Sequence, residues 1–158
     1  MVKVTELAYL GFNVSDPGAW QDFAVGCVGL EVLDDGESDR FYLRMDHWHH
    51  RFVMHKSASD DLAYLGWRVA GPADLEVMAR QLETAGIAYR VASESVAEER
   101  HVLGLLKLAD PSGNPTEIFY GPRIDTNFPF HPGRRMYGRF VTGDQGTVNL
   151  FSLRDHSA

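Results

Sequence analysis

The densest run of side chains able to do chemistry is His47-Trp48-His49-His50-Arg51. Imidazole ligates divalent metals and moves protons near neutrality, so three histidines this close together raise a metal or acid–base reading. On an extended segment His47 and His49 share a face and His50 points the other way. A metal site would then need a third ligand from elsewhere and a definite coordination geometry. His101 stands alone and reads as a strand residue. Nucleophilic chemistry has little to draw on. Cys27 falls on an apolar helix face, where a thiol behaves as a small inert hydrophobe. Ser112 belongs to a turn and lacks a Gly-x-Ser-x-Gly setting. Gly104, Gly113 and Gly121 are too scattered for a phosphate loop. Glu94, Glu98, Glu99 and Arg100 read as a solvated short helix or loop.

An internal repeat gives the elements that must position these groups. Residues 7–12 read LAYLGF and residues 62–67 read LAYLGW, an offset of 55. That offset carries Pro17 onto Pro72, and Trp20, Phe23, Ala24 and Cys27 onto Leu75, Met78, Ala79 and Leu82. Each quartet has the i, i+3, i+4, i+7 spacing of one helix face. Proline suits the first helical position, Asp16 can cap the first helix, and Gly29 and Gly86 supply the left-handed closing residue. Extended segments follow: Leu30–Leu33, Arg40–Arg44 and Arg51–His55 in the first copy, and Tyr89–Ala92, His101–Ala109 and Pro115–Tyr120 in the second. Turn residues separate them, Asp-Asp-Gly at 34–36 and Asp-Pro-Ser-Gly-Asn at 110–114.

Each copy is therefore β-α-β-β-β. One copy alone would expose an apolar sheet face, so the expected α+β fold pairs two tandem units into one curved mixed sheet. The units run from about 5–56 and 60–120. Residues 121–138 read as a Pro- and Gly-rich linker closing a single domain of 1–138, and 139–158 as a separate tail.

The chain has 158 residues, net charge −7 and a sequence pI of about 5.4. Nucleic acid and anionic membrane are poor partners for such a surface, because phosphate binding needs a basic patch. The single cysteine rules out an internal disulfide and suits a reducing cytoplasm. MVKVTELAYL lacks the long apolar run of a signal peptide, and no 18-residue apolar stretch occurs.

Four segments carry a more specific signal: DRFYLRMDHWHHR (39–51), DDLAYLGWRVAG (60–71), LADPSGNPTEIFYGPRID (108–125), and FHPGR with VTGDQG (130–134 and 141–146). Together with the paired units they resemble the vicinal-oxygen-chelate superfamily of glyoxalases, bleomycin-resistance proteins and extradiol dioxygenases. The resemblance is closer to extradiol aromatic-diol dioxygenases of the 1,2-dihydroxynaphthalene and 2,3-dihydroxybiphenyl type, and it spans about residues 5–146.

The resemblance implies two similar domains, with Fe(II) held in the C-terminal one by two histidines and a carboxylate. This chain covers the first domain only, so it is expected to lack iron and to be inactive alone. Where the family continues from VTGDQG to its first iron-ligating histidine, Asn149 stands here. Carried onto this domain, the superfamily's ligand positions fall on Tyr9, Tyr64 and Glu117. A phenol must lose a proton of pKa about 10 to ligate well, so these three are expected to form a degenerate pocket with both tyrosines bonded to Glu117. The His47–His50 run belongs, in the resembled enzymes, to the non-iron domain, which favours a structural or interface role. The tail segment Leu153–Ala158 resembles a stretch whose histidine acts as acid–base, which would be His156. The rival expectation is a small-molecule binding protein of the bleomycin-resistance type, with an aromatic cavity around Tyr9, Tyr64 and Trp67. A small aromatic ligand is the expected partner. A homodimer is expected through Phe128-Pro129-Phe130 and Leu150-Phe151.

Overall fold

The computed structural model describes residues 1–130 apart from Asp34. Eight strands form one mixed sheet in the order β2-β3-β4-β1-β5-β8-β7-β6. In chain order they are β1 (Glu6–Val14), β2 (Glu31–Leu33), β3 (Arg40–Arg44), β4 (Phe52–Lys56), β5 (Asp61–Arg68), β6 (Tyr89–Val91), β7 (Gly104–Ala109) and β8 (Pro115–Tyr120). The order is a palindrome of the two units. β1 pairs parallel with β4, and β5 parallel with β8, while the units meet where β1 runs antiparallel to β5. The expected end of the domain at 138 and the tail 139–158 lie outside the described residues, as do Leu150-Phe151.

Alternation along the strands sends side chains to opposite faces. One face carries Tyr9, Tyr42, Val53, Tyr64, Leu105 and Phe119, all buried, with Ala97 and Val102 packed over them. The other face is covered by helices. α1 (Pro17–Phe23) lies over a cluster of Val14, Phe41, Leu43 and Met54, and α2 (Pro72–Thr84) over Val69, Leu106 and Ile118. Burying a large apolar side chain stabilises by about 1.5–3 kcal/mol, so these three clusters hold the sheet.

The helix signals act as their chemistry requires. Asp16 Oδ1 accepts from the Ala19 N–H at 3.0 Å, and Pro17 and Pro72 open their helices. Gly29 and Gly86 close them at φ 81° and 70°. Met78 and Leu82 are buried as the apolar stripe of α2 predicts. The first stripe departs from expectation, since Phe23 and Cys27 are exposed. The helix widens into a π-turn over Ala24–Val28, and the slower rotation per residue swings position 27 away from the sheet.

The other departures gather around residues 94–103. Glu94–Glu99 forms a short helix, α3. Arg100, expected in solvent, is buried. His101 is no strand residue: it sits in a turn at φ 52°, and β7 starts only at Gly104.

Candidate functional site

The antiparallel register at the centre of the sheet sets Tyr9 opposite Gly66 and Gly11 opposite Tyr64. β8, next to β5, places Glu117 beside Gly66. Tyr9, Tyr64 and Glu117 thus converge in the middle of the sheet, each buried. The tyrosine rings meet edge to face with centroids 6.0 Å apart. Tyr9 Oη donates to Glu117 Oε2 at 2.7 Å. Tyr64 does not bond Glu117 as expected; its hydroxyl pairs with His55 Nε2 at 2.8 Å on β4.

Arg100 completes the group and was invisible in the sequence, where its acidic neighbours suggested a solvated run. Its Nε donates to Glu117 Oε2 at 3.1 Å and Nη2 to Oε1 at 3.4 Å. The guanidinium carbon stands 3.8 Å above the Tyr64 ring. Lys107 Nζ approaches Glu117 Oε1 at 3.5 Å from the neighbouring strand. Burial alone would lower the Arg100 pKa, but Tyr64, Glu117 and Glu99 outweigh it and raise it, so the group stays charged. Burial, then the charge of Glu117, holds Tyr9 well above the usual phenol range, and burial likewise raises Tyr64. Neither tyrosine becomes a phenolate ligand near neutrality.

These residues do not fit an Fe(II) ion. The one carboxylate is already neutralised by a fixed guanidinium, and the remaining donors are neutral phenols. What the arrangement does chemically is lock β5, β8 and the turn after α3 through a desolvated ion pair.

A second group lies alongside. The loop from Met45 to Arg51 is clamped by Asp46, whose Oδ2 accepts from Arg51 Nε and Nη2 at 2.8 and 2.6 Å and whose Oδ1 accepts from the Trp48 N–H. Arg51 also stacks 3.8 Å over Trp48. Because this segment is a loop and no strand, the expected alternation fails: His47 is exposed while His49 and His50 are both buried, with their Nδ1 atoms 3.1 Å apart. The segment after β8 ties the loop to His101, since the His49 N–H donates to Arg123 O and the Arg123 N–H to His101 O. As a result His49 and His101 stack at 3.7 Å, and Asp35 meets both. His101 is therefore part of a cluster. Burial lowers the pKa of His49, His50 and His101, the last to about 4, so all three are neutral imidazoles at physiological pH. A cavity of about 10 Å³, room for one water, is lined by this cluster together with Tyr9 and Arg100. Trp67 lies on the other face with the α2 cluster, so the aromatic cavity expected from Tyr9, Tyr64 and Trp67 is not assembled. Asn149 and His156 lie outside the described residues.

Comparison with known proteins shows what the chain is similar to. The family described as dihydroxybiphenyl dioxygenase BphC D1 matches residues 7–56. The chain is 63% identical over 155 residues to the biphenyl-2,3-diol 1,2-dioxygenase of Sphingomonas paucimobilis, covering 98% of this chain and 52% of that protein. It is 62% identical over 143 residues to a 1,2-dihydroxynaphthalene dioxygenase of Pseudomonas putida, covering 90% and 47%. A crystal structure of catechol 2,3-dioxygenase superposes with a TM-score of 0.86 at 65% identity, covering 90% of this chain and 47% of that one. By sequence and by fold, the chain is similar to about half of these dioxygenases. It spans about half the length of the curated relatives it matches. Among the described residues no helix is long and apolar enough to cross a membrane.

Proposed function

We propose that this domain is the non-catalytic half of an Fe(II)-dependent extradiol dioxygenase acting on a fused-ring or biaryl diol, and that alone it turns over no diol. The observation that carries this reading is Arg100 seated on Glu117 and over Tyr64, a built-in cation among the three residues where a ligand set would lie. In the whole enzyme, iron held elsewhere would supply oxygen activation and ring cleavage. The part played here is to present a sheet whose buried central charges are already paired, against which such a half can pack. Tyr9, Tyr64 and Glu117 then serve as a metal-free relic site. The single cysteine and acidic surface support a cytoplasmic home.

The test is direct. Fe(II)-reconstituted protein should give no yellow ring-cleaved product from 1,2-dihydroxynaphthalene, 2,3-dihydroxybiphenyl or catechol. Metal-dependent turnover of any of them, lost in Glu117→Ala, overturns the reading. The small-molecule sequestering alternative has less support: the cavity beside Tyr9 holds no more than a water, and the larger cleft of about 540 Å³ along Glu98, Leu103 and Arg123 is an open groove that neither Tyr9 nor Tyr64 lines.

We also propose that the chain self-associates as a two-fold dimer. Arg44 Nη1 holds the Phe128 carbonyl at 2.8 Å, yet the Phe128 side chain is largely exposed, so an apolar ring is presented from an anchored backbone. Sedimentation at micromolar concentration should show a dimer that Phe128→Ser weakens. A monomer throughout the range rejects it.

A further inference from the structure

Asp35, His49 and His101 come from three separate segments, yet one carboxylate oxygen and two imidazole nitrogens all lie within 4.8 Å of one another. His49 Nε2 is 3.2 Å from Asp35 Oδ2, and His101 Nε2 is 3.5 Å from the same oxygen. The second distance is too long for a good hydrogen bond, and the first is at the limit. Both match a different geometry. Around a tetrahedral ion with bonds of about 2.0–2.2 Å, ligand atoms stand about 3.3–3.6 Å apart. Those two spacings are close to two edges of such a tetrahedron, and the third is reached when the His49 and His101 rings, stacked here at 3.7 Å, open so that both Nε2 lone pairs face the ion.

We infer that Asp35, His49 and His101 form a site for a divalent transition-metal ion of the Zn²⁺ type, separate from the Tyr9–Tyr64–Glu117 group and independent of the reading given above.

The surroundings fit that assignment. Two neutral imidazoles and one carboxylate are the donor set of an open zinc site, which keeps a fourth position for solvent. Asp35 is on the exposed turn before β3, so water reaches that position. A metal-bound imidazole needs a partner for its other nitrogen. His49 has one, because His50 Nδ1 lies 3.1 Å from His49 Nδ1. With His49 Nε2 on the ion, His49 Nδ1–H donates to His50 Nδ1, which moves the His50 proton to Nε2. That atom is buried and has no partner among the described residues, but His50 lines the water-sized cavity, where a water can accept from it. The neighbouring cation does not compete for Asp35, since Arg123 Nε is paired with Asp125 at 3.0 Å. Bound there, the ion would tie the turn before β3, the Asp46-clamped loop and the turn before β7 into one unit.

The probe is Zn²⁺ itself, titrated calorimetrically into the full, tag-free chain, with Co²⁺ as a spectroscopic stand-in. One ion per chain is expected, at micromolar Kd or tighter, with Co²⁺ giving the intense visible absorption of four-coordinate ligation. Asp35→Asn and His101→Gln should each weaken binding at least tenfold, with unchanged circular dichroism. His47→Gln, an exposed neighbour, and the double variant His131→Gln/His156→Gln should bind as the parent does. The inference fails if the parent binds no tighter than about 100 µM. It fails equally if Asp35→Asn/His101→Gln retains parent affinity, or if the His47 or His131/His156 variants lose the ion.

Discussion

The Tyr9 ring lies against Gly66, close enough that a Cβ on that glycine would come within 2.3 Å of the ring. The partner arrangement repeats it, since a Cβ on Gly11 would come within 2.3 Å of the Tyr64 ring. Each unit's glycine makes room for the other unit's tyrosine, which is why LAYLG appears twice. The motif is a two-fold steric requirement written into the seam between β1 and β5.

Gly11→Ala and Gly66→Ala should therefore each destabilise by about 1–3 kcal/mol, the usual cost of overpacking a full core. The clash is specific, so Tyr64→Leu should recover part of the loss in Gly11→Ala and none in Gly66→Ala. Denaturant unfolding of the double-mutant cycles measures the coupling.

Arg100→Met leaves Glu117 buried without its guanidinium, and should cost about 3–5 kcal/mol. Adding Glu117→Gln keeps an acceptor for the Tyr9 hydroxyl while removing the stranded charge. The double variant should be clearly more stable than Arg100→Met alone. Equal midpoints for the two would show that the arginine acts by packing and not by pairing.

His55 gives a pH dependence. Burial, then the charge of Arg100, lowers its folded pKa below the unfolded value of about 6.5. Below that value the unfolded chain takes up the proton first, so the contribution of neutral His55 is whole above about pH 6.5 and is lost as pH falls through the folded pKa. Thermal midpoints should drop between pH 7.5 and 5. The drop should be smaller in His55→Gln, which cannot titrate but can still bond the Tyr64 hydroxyl.

Cys27 is exposed within the π-turn, so a thiol reagent should modify one group per chain in native buffer at the rate of an accessible cysteine. A thiol that reacts only after denaturant is added would mean that the helix keeps its regular pitch to Gly29 and buries position 27.

The repeat made most of the architecture legible. LAYLG, the paired prolines and the closing glycines are local signals, and local signals survive into the fold. The α2 face was readable for the same reason. The α1 face was not, because a single widened turn changes which residues face the sheet without leaving a mark in residue type. At the site, Tyr9, Tyr64 and Glu117 could be placed together from the repeat and the family likeness. Arg100 and His101 could not, since their positions depend on a turn with a left-handed residue and on hydrogen bonds to Arg123 more than twenty positions away. The alternation argument for His47, His49 and His50 failed where the Asp46 clamp turns an extended stretch into a loop.

The palindromic strand order also bears on how the chain assembles. Every strand pairing except β1–β5 joins strands of one unit, so each half holds its own four-stranded ladder, although its closing pair, β1–β4 or β5–β8, spans about as much chain as the seam does. The β1–β5 seam is then the joint between the two halves, an interface between two similar units inside one polypeptide. Lesions at Gly11 or Gly66 fall on that joint, so they strike what holds one unit to the other and not the ladder within either.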